Sequence, residues 1–203
     1  MADAGQPPNS LPAASGRYAL GTRLGLLAWA LVERIRLGSA SSMGAASGLN
    51  SALVAITPAC GAVSPLGALA IGLIAGAVCS LAIELKFRLG FDDSLDVVGV
   101  HLVGGILGTL LIGLFATEAA PNKVNGLFYG GGFGLLGVQA LATLAVLAYS
   151  FVVTWVIAKV LNVTMGLRIH EADELRGIDI AAHAEAAYLS DEEPVELGSP
   201  HRG

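Results

Sequence analysis

Residues 92–116 read DDSLDVVGVHLVGGILGTLLIGLFA, and this stretch decides the fold. Residues 97–116 contain no Asp, Glu, Lys or Arg, and a helix that crosses a bilayer needs about 20 apolar residues. The run nevertheless holds one ionisable side chain, His101, and three aspartates precede it. The stretch therefore predicts a membrane-spanning helix with a histidine inside it and carboxylates at its start.

The composition of the whole chain also favours a membrane protein. Of its 203 residues, 54% are hydrophobic and 13% are charged, against roughly 25% charged residues in ordinary globular domains. No basic patch suits nucleic acid, and no group of His, Cys and carboxylates has metal-ligand spacing, so we expect no nucleic acid, metal or cofactor. Cys60 and Cys79 lie in or beside apolar runs and are interpreted as buried thiols.

Hydropathy divides the chain into three parts. Residues 1–17 lack the features of a signal peptide and are predicted to be a disordered leader. Residues 18–166 predict an all-α, polytopic membrane bundle of about four to five transmembrane helices, near residues 18–35, 43–63, 66–84, 95–116 and 135–160. Arg23 interrupts the first of these, which is interpreted as the tail end of a helix whose beginning is missing or altered. Residues 167–203 carry three basic and nine acidic residues and predict an acidic tail.

Charges in the short loops predict the orientation. Basic residues cluster on one side of the predicted bundle, whereas Lys123 is the only one opposite; the cluster comprises Arg34, Arg36, Lys86, Arg88, Lys159 and Arg168. An excess of Lys and Arg marks the cytoplasmic side, so the tail is expected inside the cell.

Glycines recur at helical spacing along the chain. They form the pairs Gly44/Gly48, Gly72/Gly76 and Gly104/Gly108. In lipid, small residues four apart let helix backbones approach closely, so these pairs predict a tightly packed bundle.

His101 is the candidate functional residue. On an ideal α-helix, Gly104, Gly105 and Gly108 share its face, which would leave the imidazole as the only sizeable side chain there. Ionisable groups inside a membrane are costly and tend to line pathways, which favours a functional role over a hydrogen-bonded structural histidine. Because a low-dielectric environment favours the neutral imidazole, we expect one donor and one acceptor nitrogen there.

Polar residues at two helix ends admit two interpretations each. Asp92, Asp93 and Asp96 are predicted to cap the His101 helix, with a cation-attracting mouth as the alternative. Pro58 removes an N–H, and the hydroxyl of Thr57 is expected to compensate for the carbonyl left unpaired. A broken helix near a pathway and a simple helix end remain equally open there.

Three runs together resemble the ammonium transporter family, which is related to the Rhesus proteins. They are "GAASG…LVAITPACGAVSPLGALAIGLIAG", "LKFRLGFDDSLDVVGVHLVGG" and "GLRIHEADELRGIDIAAHAEAAY", within residues of about 24–188. The resemblance implies eleven-helix trimers whose two inverted halves enclose a hydrophobic pore in each subunit. It also implies recruitment of ammonium at an outer site, deprotonation, and passage of ammonia along paired histidines.

The resemblance carries roles onto individual residues. It makes His101 the second pore histidine, Val97 an apolar pore-lining residue and Thr57 the threonine of the turn near the outer vestibule. The tail resembles the family's cytoplasmic tail, with His183, Glu185 and Tyr188 at its usual ending, although a generic acidic tail is the alternative.

This chain matches only the C-terminal half of the family pattern. The first histidine and the recruitment-site aromatics have no counterpart, Leu102 stands where a small residue is usual, and Ala184 replaces a glycine. We therefore expect a partial ammonium transporter in the plasma membrane, inactive alone and trimeric if full-length. The alternative is a non-transporting sensor or docking subunit for a P-II-type regulator. An enzyme is not expected, because no nucleophile–base–orienter set is present.

Overall fold

The computed structural model describes residues 11–183, which fall into two compact units divided between Ala148 and Tyr149. The described part of the first unit contains the helices α1 (Leu11–Leu37), α2 (Ser42–Ile56), α3 (Pro65–Ala82), α4 (Glu84–Leu89) and α5 (Val103–Phe115). A π-helical turn, Val98–Leu102, leads into α5, and a short 3-10 turn, Leu127–Tyr129, follows it. Helix α6 (Gly134–Thr164) begins in the first unit and ends in the second.

Helix α1 differs from its prediction at both ends. It is a continuous 27-residue helix, longer than the predicted residues 18–35, and its first turns take in residues 11–17, which were predicted to be disordered. Pro12 stands in the first turn, where a missing N–H leaves no helical hydrogen bond unmade. Arg17 is buried, and its Nη1 donates to the carbonyl of Cys60 at 3.1 Å. Residues 1–10 of the expected leader lie outside the described residues.

Glycines bring α1 into backbone contact with its neighbours. A Cβ on Gly72 would collide with the backbone of Gly21, and one on Gly76 with the backbone of Gly25. On α2, a Cβ on Gly48 would lie 2.8 Å from the carbonyl oxygen of Gly25. The close helix approach predicted from the glycine pairs is therefore present, and its partner is Gly21/Gly25, a pair that the sequence reasoning missed because Arg23 lies between them.

The hydrophobic core lies where α1, α2, α3 and α5 meet. Its largest fully buried side chains are Ile56, Ile71, Val63, Cys79 and Ser51. Both cysteines are free thiols; Cys79 is fully buried and Cys60 partly buried. Small residues dominate because backbones this close leave little room for side chains.

Helix α2 ends seven residues earlier than predicted. It stops at Ile56, and residues 57–62 form consecutive turns rather than a helix reaching Val63. Pro58 explains the early end, since its ring is incompatible with the preceding helical turn. The hydroxyl of Thr57 donates to the carbonyl of Leu53 at 2.6 Å, the carbonyl that its own N–H also reaches. The hydroxyl does not reach the carbonyl of Val54, which lacks a helical donor because Pro58 has no N–H.

The turns after α2 join the loop after α5 through main-chain hydrogen bonds. Thr117 N donates to Ala62 O and Asn122 N donates to Gly61 O, both at 2.9 Å. An isolated antiparallel bridge between Val63 and Ala116 lies beside them. We call these paired segments, residues 61–63 and 116–126, the rim; the loop's internal bond from Gly126 N to Ala116 O measures 2.8 Å.

Three helical segments of the described residues are long and apolar enough to cross a membrane. They are Pro65–Leu89, Val98–Phe115 and Gly134–Thr164, and the 15-residue helix Ser42–Ile56 is apolar but shorter. The prediction of about four to five transmembrane helices counted α1 and an α2 extended to residue 63. Exposed apolar side chains cover α6, as expected for a helix that contacts lipid or another helix.

The second unit is described from Tyr149 to His183. After α6 it contains two short helices, α7 (Glu171–Arg176) and α8 (Ile178–His183). Gly177 separates them and has a φ of +99°, a backbone conformation that residues other than glycine rarely adopt. Ala184, Glu185 and Tyr188 lie outside the described residues.

Candidate functional site

His101 lies within the π-helical turn Val98–Leu102. The backbone N–H of Val103 reaches both Val100 and Val98, and the second of these bonds spans five residues rather than four. Single π turns inside α-helices are rare and occur frequently at functional sites. The sequence reasoning placed His101 on an uninterrupted α-helix, so the turn was missed.

The imidazole of His101 is exposed on the first unit. Within residues 11–183, no hydrogen bond or ion pair engages it. Its neighbours along the turn are also accessible, with Val97 50% and Leu102 42% exposed. His101 therefore lies on an exposed apolar surface, where its imidazole can contact another protein segment, a lipid or a solute.

The three glycines after His101 do not share one face. Gly108 packs against the backbone of Ala55, and a Cβ on Gly104 would lie 3.4 Å from the carbonyl oxygen of Ser51. A Cβ on Gly105, in contrast, would meet no atom within 4 Å. The predicted common face was wrong: Gly104 and Gly108 contact α2, whereas Gly105 leaves open space on the helix.

The three aspartates before the helix have different contacts. Asp93 caps it, accepting hydrogen bonds from Val97 N at 2.8 Å and Val98 N at 2.9 Å. Asp96 forms an ion pair with Lys86, and Asp92 accepts from the hydroxyl of Ser94 at 3.4 Å. Asp93 therefore satisfies two backbone N–H groups at the start of the helix.

Replacing Asp93 by alanine should destabilise the protein by about 1–2 kcal/mol, because two N–H groups at the helix start lose their acceptor. The midpoint of thermal unfolding in detergent measures this effect. Asp93→Asn, whose side-chain oxygen can still accept a hydrogen bond, is the matched control and should shift the midpoint less. Equal shifts for the two variants would contradict the assignment of Asp93 as the cap.

Thr57 and His101 are not adjacent. Helix α2 contacts α5 at Ser51/Gly104 and at Ala55/Gly108, so Thr57 lies beyond the level of Gly108. Seven residues separate Gly108 from His101, about 10 Å along a helix axis. Thr57 is exposed at the rim end of the bundle, while Val97 adjoins the turn that holds His101.

Lys86 is a site residue that the sequence reasoning used only as a topological marker. Its Nζ donates to the carbonyl of Asp93 at 2.9 Å and also binds the Asp96 carboxylate. The signal was present in the sequence, since a lone lysine precedes a cluster of three aspartates by a few residues. Within the described residues, no group of three or more metal-ligating side chains occurs.

The tail residues named from the sequence are only partly placed. His183 is exposed in the last turn of α8, while Glu185 and Tyr188 lie outside the described residues. In the same unit, Arg168 Nη2 lies 4.0 Å from Glu174 Oε2, and an exposed ion pair of this kind contributes little to stability.

Comparison with known proteins gives a consistent result. The model of the Ammonium Transporter Family matches residues 18–188. Ammonium transporters from Mycobacterium tuberculosis and Mycobacterium bovis are 55% identical over 175 residues, which is 83% of this chain and 37% of theirs. The ammonium transporter of Corynebacterium glutamicum is 47% identical over 164 residues, 81% of this chain and 36% of its own.

Solved structures show the same likeness. Mep2 of Candida albicans superposes with a TM-score of 0.71 at 32% identity, covering 79% of this chain and 37% of that one. A structure described as a sensor Amt protein gives 0.76 at 25% identity, covering 85% and 42%. The chain spans about 37% of the length of the mycobacterial relatives. With the family model matched over residues 18–188, the chain belongs to the ammonium transporter family.

Proposed function

We propose that this chain forms one wall of a pore that conducts ammonium nitrogen across a membrane, with His101 as its proton-transferring residue. The observation that carries the proposal is the uncommitted imidazole on an exposed, otherwise apolar face of a membrane-length helix. The family relatives are named as ammonium transporters, which supports a role in transport.

The physical logic follows from solvation. Moving an ion to the centre of a bilayer costs several kcal/mol, whereas neutral ammonia costs far less. Ammonium therefore gives up its proton before crossing, and ammonia passes along the apolar wall that Val97 and Gly105 help to form. A neutral imidazole accepts a proton at one nitrogen and releases one from the other, which suits His101 to carry the proton.

A pore of this kind needs a second wall. The imidazole and Val97 are exposed, and the resemblance assigns the other pore histidine and the recruitment aromatics to a part of the family pattern that this chain does not match. We therefore expect the 203-residue chain alone to be inactive and to act together with a complementary half, encoded in the same or another protein.

Uptake of methylammonium tests the proposal in cells that lack their own ammonium transporters. The chain is expressed alone, or together with the part of the Mycobacterium tuberculosis relative that it does not match. We expect no uptake from the chain alone and uptake from the pair. Uptake by the chain alone would overturn the predicted inactivity. Absence of uptake, with both parts present in the membrane, would contradict the role in transport.

The proposed assembly is a homotrimer in the plasma membrane with the tail in the cytoplasm. The orientation is supported by the basic residues near the ends of α1, α4 and α6, which the positive-inside rule assigns to the cytoplasm. Reporter fusions after residue 203 would test it: a reporter that is active only outside the cytoplasm should give no signal. Cross-linking in membranes would reveal the trimer.

A second candidate function is a non-transporting sensor or docking subunit. It is favoured by the likeness to a structure described as a sensor Amt protein and by the short helices α7 and α8 of the second unit. A P-II-type signal protein is the proposed partner at the cytoplasmic face. Binding of such a protein to membranes containing the complemented pair, without methylammonium flux, would favour this function over transport.

A further inference from the structure

We propose that Lys86 is a positioning residue for His101: from α4 it holds the π-helical turn, and thereby the direction in which the imidazole points. This inference rests on the proposed function only where it concerns transport. The geometric part, that Lys86 sets the position of residue 101, stands separately and has its own readout.

The first observation is the conformation of Asp96. Its φ is +56°, in the left-handed region that non-glycine residues adopt rarely, although Asp tolerates it better than most. Such a conformation persists where surrounding contacts determine it. Here the carbonyl of Asp96 accepts the N–H of Val100 at 2.8 Å, so the unusual residue feeds directly into the turn that holds His101.

The second observation is the ion pair that holds Asp96. The side chains of Lys86 and Asp96 are only 16% and 26% exposed, and Lys86 Nζ also donates to the carbonyl of Asp93 at 2.9 Å. One ammonium group thus binds both the residue that caps the helix and the residue with positive φ. Removing the ammonium would leave a largely buried carboxylate without its counter-charge, which favours rearrangement of the backbone at Asp96.

The third observation is a backbone contact between the same two elements. A Cβ on Gly99, inside the π turn, would lie 2.8 Å from Ile83 Cγ1 and 3.2 Å from the backbone of Ile83. Ile83 is the residue at which α3 gives way to α4. The turn is therefore held at Gly99 by the start of α4 and at Asp96 by Lys86, one turn further along that helix.

The consequence for His101 is rotational. A π turn holds one residue more than an α turn, so its relaxation to α-helix rotates the residues before it by about 100° relative to α5. Gly104 and Gly108 keep α5 fixed against α2, so the part that moves is the π-helical turn and the residues before it. Loss of the Lys86 contact therefore redirects His101 rather than the helix behind it.

Thiol labelling in native membranes tests the geometric part. The reporter is a His101→Cys variant of the full chain, with Cys60→Ser and Cys79→Ala removing the two native thiols. We expect Lys86→Met to change the labelling rate by about tenfold, the factor that corresponds to loss of a part-buried ion pair from a local equilibrium. Lys86→Arg should restore most of the parental rate.

Arg88→Met is the matched control, because Arg88 lies two residues further along α4 and, within residues 11–183, has no hydrogen bond or ion pair. It should leave the labelling rate unchanged. Equal rates for Lys86→Met and the parent, or equal changes for Lys86→Met and Arg88→Met, would overturn the proposal. If Lys86→Met does not fold, Asp96→Ala provides the test, since alanine removes the charge that Lys86 binds and disfavours the positive φ. A parental labelling rate in a folded Asp96→Ala variant would also overturn it.

Transport supplies the separate functional readout. In the complemented assembly with His101 intact, Lys86→Met should lower uptake while Arg88→Met should not. If His101→Ala leaves uptake unchanged, the role of His101 in transport fails, whereas the labelling result still decides whether Lys86 positions residue 101.

Discussion

Methylammonium uptake by the complemented assembly is expected to fall by about a hundredfold when His101 is replaced by alanine, because positioned acid–base groups contribute on the order of 10²–10⁴ to rates. Alanine can neither accept nor release the proton that ammonium gives up. Because the imidazole makes no hydrogen bond or ion pair within residues 11–183, its loss should leave folding almost unaffected. The initial uptake rate, divided by the amount of protein in the membrane, is the measurement.

His170→Ala is the matched control for that experiment. His170 is exposed at the N-terminus of α7, in the second unit, and its side chain makes no capping hydrogen bond. The His170→Ala substitution removes one imidazole from the same chain and should leave uptake near the parental rate. Equal losses for the two variants, or parental uptake for His101→Ala, would contradict the role assigned to His101.

The second large effect is expected at Gly108. A Cβ added at this position would collide with the backbone of Ala55, and backbone atoms cannot rotate away as a flexible side chain can. Gly108→Ala must therefore separate α2 from α5, at a cost of about 1–3 kcal/mol. The midpoint of thermal unfolding in detergent should fall accordingly.

Gly105→Ala provides the comparison within the same helix. With no atom within 4 Å of its Cβ position, alanine fits and its higher helix propensity should leave stability unchanged or slightly raised. The two variants add the same methyl group three residues apart. Equal destabilisation by both would contradict the assignment of the effect to the contact between Gly108 and Ala55.

The helical segments of this fold were largely predictable from the sequence, whereas their ends were not. Long apolar runs located α3, α5 and α6, because a bilayer demands a minimum length of uncharged helix. The ends of the helices depend on individual residues, whose effects are lost when hydropathy is averaged over a window of sequence. Pro58 ends α2 at Ile56, and α1 continues back to Leu11 although Arg23 interrupts its apolar run. In α1 the structure places Arg23 on an exposed side of the helix, where a charge does not disturb the glycine contacts.

The candidate residue His101 could be named from the sequence, whereas Lys86 and the geometry around the histidine could not. An ionisable side chain in an apolar run identifies His101 without further information. The π turn depends instead on contacts with α4, through Lys86 and Gly99, and the sequence VGVHL is equally compatible with an α-helix. The glycines after His101 were assigned to one face, although α2 contacts Gly104 and Gly108 and not Gly105.

The rim has a consequence for how this chain tolerates sequence change. Its two cross-segment hydrogen bonds join main-chain atoms, at Ala62/Thr117 and Gly61/Asn122. Every amino acid except proline supplies the same N–H and C=O groups, so exposed rim positions such as Ala119 and Val124 are free to vary while these bonds persist. Buried rim side chains such as those of Val63 and Ala116 belong to the core and are constrained. The opposite end depends on individual side chains at Lys86, Asp93 and Asp96. The rim end of the molecule thus tolerates substitution at its exposed positions, while the other end depends on three charged side chains.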